Sequence, residues 1–241
     1  MLSAQTVSSI LEGFGKAFSL ILHLDAELLT IIVLSLKVSG SALVIATLLG
    51  LPLSALFGFK RFPLKGVMIS VLNTCMGLPP VVVGLFVYLL LSRSGPLGFM
   101  ALLYTPTAMI VAQCILAFPI VTSLSHSAII SIDPIIQQAS RTLGATPFQA
   151  SLTIIREARY GIMSAVIAAF GRVMAEVGAI LIVGGNIAGF TRVMTTTIAL
   201  ETDKGNFELA LALGIILLGI SLLINLVLYV VQRRGMAPAQ S

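Results

Sequence analysis

The amino-acid sequence predicts an all-α fold solvated by lipid, an integral membrane helical bundle of about five transmembrane helices with an N-terminal interfacial helix, all within one domain spanning residues 1–241. Three observations predict it. Of the 241 residues, 58% are hydrophobic and 10% charged, with a mean hydropathy of +1.09, whereas about a quarter of the residues in a soluble domain are charged. The 14 basic and 9 acidic side chains cannot cover the polar surface that a water-soluble chain of this length needs. The apolar residues also gather in runs of about 20, the length at which a helix rising about 1.5 Å per residue crosses a hydrocarbon core. Runs this long exceed the strand of a membrane barrel.

The first element, Leu2 to Leu24, is mildly amphipathic and interrupted by Gly13 and Gly15. It lacks the basic start and short apolar stretch of a cleavable leader, and is expected to lie at the membrane interface. Five spans follow: Leu36 to Phe57, Val67 to Leu91, Phe99 to Leu124, Gly161 to Val183 and Leu209 to Val231. Each satisfies its backbone hydrogen bonds internally, as a bilayer demands. With the C-terminus cytoplasmic, Lys60, Arg61, Lys65, Arg141, Arg156, Arg159, Arg233 and Arg234 collect inside, against Lys16, Arg93, Arg192 and Lys204 outside. That asymmetry obeys the positive-inside rule and sets the N-terminus outside. Asp25, Glu27, Glu201, Asp203 and Glu208 then gather on the outer face, as a docking surface or as solvated loop charge.

Composition also excludes function classes. The net charge of +5 is dispersed, with no aromatic-interleaved basic patch for nucleic acid. Cys75 and Cys114 each lie inside an apolar run, so neither a disulfide framework nor a metal-ligand spacing is readable. His23 and His126 fall near opposite faces, and no HExxH, GxSxG or phosphate-binding GxxxxGK[ST] pattern occurs. The constellation of an enzyme is missing, and no cofactor or metal is expected on this chain.

Between the third and fourth spans, residues 131–160 form a loop too polar to cross and too patterned for a plain linker. Asp133 followed by Pro134 is a helix N-cap with proline at the first position. Ile135, Ala139 and Leu143 share one face, Gly144 ends the helix, and Thr146 with Gln149 forms a capping box that restarts it. The pattern predicts a short amphipathic helix, a glycine break and a second helix, protruding into the cytoplasm as a stiff knob.

These residues resemble the EAA loop of ABC importer permeases, whose pattern is E-A-A, three residues, G, nine residues, I-x-L-P. Gln138, Ala139 and Ser140 stand at the positions of the first triplet, with glutamine for glutamate and serine for the second alanine; Gly144 and Ile154 follow in register, while Arg156 and Glu157 stand in place of L-P. Ser35 to Leu53 and Gly77 to Leu85 resemble the first two spans of molybdate-type permeases, and Arg156 to Gly214 is similar to the tungstate branch of that group. The resemblance implies that Gln138, Ala139, Ser140, Leu143 and Gly144 form a coupling helix held by a cytoplasmic ABC ATPase. It further implies that ATP is used by that partner, that two copies of this chain form the pore, and that an extracytoplasmic oxyanion-binding protein delivers the substrate. Tungstate is the substrate it implies first, molybdate next, with sulfate as another anion the same architecture serves.

In the fourth span, Gly161, Ala165 and Ala169 repeat at four, as do Gly171, Ala175 and Ala179, and small residues at this spacing let helices approach closely. Arg172 and Glu176 place two charges inside the membrane, where unpaired charge is costly. Their i, i+4 spacing on one helix predicts an ion pair, either fixing packing or forming a gate at the pore or subunit interface. After the span, residues 184–207 are rich in glycine and threonine. Gly184, Gly185, Asn186, Arg192, Thr195, Thr196 and Thr197 offer donors to a doubly charged oxyanion, and Thr191 is placed to cap a short helix containing Arg192. A solvated or docking loop is the alternative. A gradient-driven transporter with Glu176 as proton relay is the rival function, opposed by five spans and no visible inverted repeat.

Overall fold

The computed structural model describes residues 26–60 and 62–236, together with Gly15 and Ser19. Apart from those two, the expected interfacial segment Leu2 to Leu24 lies outside the described residues, as do Asp25, Arg61 and the side chains of Arg233 and Arg234. Among the described residues there are ten α-helices and no strand. They are α1 (Ala26–Phe59), α2 (Lys65–Met76), α3 (Pro80–Leu91), α4 (Pro106–Ile130), α5 (Pro134–Thr142), α6 (Pro147–Glu157), α7 (Arg159–Met174), α8 (Gly178–Gly184), α9 (Met194–Asp203) and α10 (Phe207–Met236).

Helix α4 is the centre of the bundle, packing on α1, α2, α3, α7 and α8. Its buried face runs through Met109, Ala112, Gln113, Leu116, Ala117 and Val121, with the two alanines letting neighbours approach closely. Three helices, α1, α4 and α10, are each long and apolar enough to cross a bilayer. The remaining two expected spans are each a bent pair, and the total reaches five when each pair is counted as one span.

The first correction lies in the second span. Instead of one helix from Val67 to Leu91, the chain bends by 103° between α2 and α3. The cause is local: proline has no N–H to donate and disfavours helical geometry in the residue before it, so Leu78 and Pro79 leave the helix and Pro79 becomes an extended N-cap for Pro80. The second correction lies in the fourth span, which breaks by 57° between α7 and α8 without any proline. Smaller differences concern ends. Helix α1 starts ten residues before the expected Leu36, and α4 starts at Pro106 rather than near Phe99 because Thr105 caps it, accepting from the Ala108 N–H at 3.4 Å.

The knob is present as read. Asp133 accepts from the Ile135 N–H at 2.8 Å, Gly144 ends α5 with φ +89°, and Thr146 and Gln149 exchange the two bonds of a capping box before α6. Of the two small-residue rows, only one is a packing row throughout. Ala165 and Ala169 are fully buried, and a Cβ on Gly161 would lie 2.6 Å from that of Ala128 on α4. In the other row Gly171 and Ala175 are exposed, and only Ala179 is buried.

Candidate functional site

The break between α7 and α8 is where the expected pathway residues meet the bundle. Ending α7 at Met174 frees backbone groups that a continuous helix would pair, and in a bilayer each must find another partner. They find it in the protein. The fully buried carboxamide of Gln113, on α4, donates through Nε2 to the Val173 carbonyl at 2.9 Å and to Ser39 Oγ on α1 at 3.3 Å. Thr195 Oγ1, on α9, donates to the Glu176 carbonyl at 2.7 Å. The Glu176 carboxylate turns forward and accepts the Ala179 N–H at 3.1 Å, satisfying an orphan donor in the first turn of α8.

This geometry corrects the expected Arg172–Glu176 pair. The two residues sit on either side of the bend, so the i, i+4 relation that would bring them together does not exist, and no ion pair joins them. Glu176 is buried at the break, whereas Arg172 is half-exposed on the last turn of α7.

The segment after α8 is exposed from Gly185 to Phe190, apart from the half-buried Asn186, and turns inward from Thr191 to Thr197, where only Arg192 is not fully buried. Gly185 turns the chain with φ +69°, where a Cβ would sit 2.8 Å from the Tyr104 ring, so glycine is needed twice over. Thr191 does not cap a helix around Arg192, because Val193 occupies the cap position of α9. Instead the Thr191 hydroxyl donates to the Gly184 carbonyl at 2.5 Å and accepts the Ile187 N–H at 2.9 Å, closing the turn. Thr196 Oγ1 bonds to Asn186 Oδ1 at 2.9 Å and accepts the Val193 N–H at 3.2 Å, while Thr197 donates to the Val193 carbonyl at 2.7 Å. Helix α9 is thus drawn into the bundle, and its first turn is completed by another span: the Met194 N–H donates to Ser35 Oγ of α1 at 2.8 Å.

Of the expected donors for an oxyanion, the Thr195 and Thr197 hydroxyls are committed to backbone carbonyls and the Thr196 hydroxyl to Asn186 and Val193. Arg192 parts company with the threonines and faces Glu27 of α1, Nη1 to Oε1 3.7 Å. A cavity of about 10 Å³ remains in the seam, lined by Ser35, Ser39, Gln113, Met194 and Thr195 among others, and Gln113 Oε1 has no hydrogen-bond partner among the described residues. That space holds about one water. At the outer end of α9, Glu201 accepts from Lys204 Nζ and Asn206 Nδ2, each at 2.9 Å, and these bonds hold its carboxyl below the usual range against the opposing effect of burial.

Gln113, Ser35 and Ser39 were not foreseen, although a lone carboxamide inside an apolar run and serines four apart on a span are a readable signal of intramembrane polar contact. At the other end of the bundle, Gln138, Ala139, Leu143 and Gly144 are all exposed, and Ser140 is half-buried with its hydroxyl bonded to the Ile136 carbonyl at 2.8 Å. Helix α5 packs on α6 alone among its stronger contacts, and leaves Ile135 65%, Leu143 89% and Phe148 78% exposed. Apolar side chains presented this way on a polar loop mark a protein contact surface.

The comparisons agree with this architecture. Residues 50–235 match the family of binding-protein-dependent transport system inner membrane components. The chain is 46% identical to the tungstate uptake system permease protein TupB of Peptoclostridium acidaminophilum over 92% of its length and 98% of that protein's. It is 49% identical to a probable anion ABC transporter permease protein of Haloferax volcanii, over 82% and 88% of the two chains. In fold it is similar to a chain of a bacterial ABC transporter involved in import of the acidic polysaccharide alginate, with TM-score 0.74, 18% identity and 98% and 96% of the two chains covered.

Proposed function

Since this chain belongs to the family of binding-protein-dependent transport system inner membrane components, we propose that it is the permease subunit of an ATP-driven importer that carries tungstate into the cell. The family sets aside the gradient-driven transporter. One observation carries the substrate: near end-to-end identity of 46% with a tungstate uptake permease. Molybdate has nearly the same size and charge and is the next candidate.

The parts take roles that follow from their placement. The exposed face of α5, with Gln138, Ala139, Ser140, Leu143 and Gly144, docks into a cytoplasmic ABC ATPase, which binds and hydrolyses the ATP, so this chain holds no cofactor of its own. Two copies enclose the pathway. In support, the uncovered face of α7 carries Ser164, Ala168 and Gly171 at four- and three-residue spacing, a stripe that suits close helix contact. An extracytoplasmic oxyanion-binding protein delivers substrate to the opposite face, with the N-terminus outside and the C-terminus cytoplasmic. The seam of Arg172, Glu176, Gly184, Gly185, Asn186, Arg192, Thr195 and Thr196 acts as gate rather than as a substrate site, because the Thr195 and Thr196 hydroxyls are already bonded internally and Arg192 faces Glu27.

The test is the tungsten and molybdenum content of cells with and without this chain, grown on limiting equal amounts of both oxyanions. A selective loss of tungsten is expected. Loss confined to molybdenum moves the substrate and keeps the mechanism, and no change in either metal refutes the oxyanion reading.

A further inference from the structure

The loop from Ser92 to Thr105 joins α3 to α4, two elements of neighbouring spans, so it lies at a membrane surface, on the side opposite the α5–α6 knob. It borders a half-open cavity of about 710 Å³ lined by Tyr88, Ser92, Arg93, Ser94 and Tyr104 together with Leu91 and Leu103. The cavity is built rather than incidental. A Cβ on Gly95 would lie 2.2 Å from the Leu89 carbonyl oxygen, so only glycine lets the chain fold back on the end of α3 and hold Arg93 over the opening. Tyr104 occupies the left-handed region, φ +62°, which is strained for a bulky residue. It is held there by its N–H donating to the Val183 carbonyl at 2.9 Å and by an edge contact with Tyr88, ring centroids 6.4 Å apart.

Two further features narrow the occupant. The charge offered is single: Arg93 is the only charged residue lining the cavity, and no ion pair involves it among the described residues, while Arg192 and Lys204 on this face are engaged by Glu27 and Glu201. Beside it the same loop exposes Phe99, at 83%, with Leu97 and Met100. Apolar side chains next to an arginine and two tyrosines at the end of a span are the composition of a headgroup-level belt. A transported dianion would leave one charge uncompensated here and would gain nothing from the apolar rim. We propose that this cavity binds the phosphodiester headgroup of an anionic phospholipid, with Arg93 supplying the charge, the paired Tyr88 and Tyr104 one further hydroxyl donor, and Phe99 and Met100 lying against the acyl chains.

The proposal is independent of which oxyanion is carried. It is tested on purified full-length protein reconstituted with phosphatidylglycerol or phosphatidylcholine, by native mass spectrometry of the lipid retained as detergent is raised. Phosphatidylglycerol is expected to be retained in preference to phosphatidylcholine. Arg93→Gln is expected to weaken that retention about tenfold or more, the loss of a charge-assisted hydrogen bond, and Tyr104→Phe to weaken it less. Excess tungstate is expected not to displace the lipid. Equal retention by wild type and Arg93→Gln overturns the proposal, and so does displacement by tungstate, which would reassign the cavity to the free oxyanion. Should Arg93→Gln not insert, absence of any preference for phosphatidylglycerol in the wild type overturns it.

Discussion

Replacing Gln113 tests whether the break in the fourth span is held by the side chain that reaches it from α4. Two substitutions separate the contributions. Gln113→Leu keeps most of the volume and removes both donated bonds, to the Val173 carbonyl at 2.9 Å and to Ser39 at 3.3 Å. Interhelical hydrogen bonds between spans are worth on average about 0.6 kcal/mol and at most about 1.7. The Val173 carbonyl also keeps a local bond from the Glu176 N–H at 3.3 Å, so it is not orphaned. The leucine variant is therefore expected to lose about 1–2 kcal/mol. Gln113→Ala loses the same bonds and also leaves a void at a fully buried position, adding a cavity contribution of about 2–5 kcal/mol for a side chain of this size. Reversible unfolding in mixed detergent micelles reads both values, and tungsten uptake is expected to fall in both variants because the bend is no longer pinned. A leucine variant with wild-type stability and uptake would show that Gln113 fills space and ties nothing, and the gate assigned to this seam would lose its support.

Gly144→Val is expected to uncouple ATP hydrolysis from uptake, through a backbone penalty of about 1–2 kcal/mol at φ +89°, since nothing lies within 4 Å of the added carbon; assay of both rates in proteoliposomes checks it, and intact coupling refutes it. The charge-swapped double variant of Arg172 and Glu176 is expected not to recover the uptake lost by either single change, because the bend separates the two residues; recovery would mean that they pair in another state of the cycle. Glu201 titrates below its ordinary value of 4.5 because Lys204 and Asn206 bond its carboxylate, so its contribution is complete above that pH and is lost as pH falls through the folded value. Wild type and Glu201→Gln are therefore expected to differ in stability at pH 7, by about 1.5–3 kcal/mol, and to converge on acidification, as thermal melting at stepped pH would show. In a background with Cys75 and Cys114 replaced, Ala168→Cys is expected to cross-link two chains, and a monomer under oxidation would remove α7 from the subunit interface.

What the sequence made legible was local. The knob follows from Asp133, Gly144, Thr146 and Gln149, each acting within four residues of itself, and the structure matches it bond for bond. The number of spans follows from hydropathy summed over about 20 residues, which is why it survived while their straightness did not. The bend at Leu78 and Pro79 was written in the dipeptide Pro79-Pro80 but hidden by an apolar window that counts composition and ignores geometry. The bend at Ala175 has no proline to mark it, and its one local side-chain tie is the Glu176 carboxylate on the Ala179 N–H. It depends on Gln113, 60 positions from Val173, and on Thr195, 19 positions from Glu176, so no scan along the fourth span reveals it. The Arg172–Glu176 pair failed for the same reason, since i, i+4 geometry presupposes the helix whose continuity those distant bonds interrupt.

The two bends are one structural event rather than two. Immediately after them, α3 and α8 run together: a Cβ on Gly178 would lie 2.7 Å from Val81 Cγ2, and one on Gly84 would lie 2.7 Å from the Ala179 Cα. Contacts this short mean that the first turn after one bend packs on the first turn after the other, and the shared cluster of Val83, Val87, Ala179, Ile180 and Val183 continues onto Met109 and Ala112 of α4. The halves before the bends do not share such a seam. Helix α7 packs on α4 and α1, and α2 leans on α4 with no buried residue of its own. Interiors packed this closely are bistable rather than elastic, so motion concentrates where packing is thin and backbone groups are held by side chains. A displacement entering at the α5–α6 knob reaches α7 through the continuous chain at Ala158, and α7 ends at the bend. The tight α3–α8 seam lies beyond it. On this geometry the bend, held by Gln113 and Thr195 from other helices and by two local bonds of Glu176, lies between the knob's half of the bundle and the half that faces the other side. The gate proposed for this seam rests on that contrast in packing.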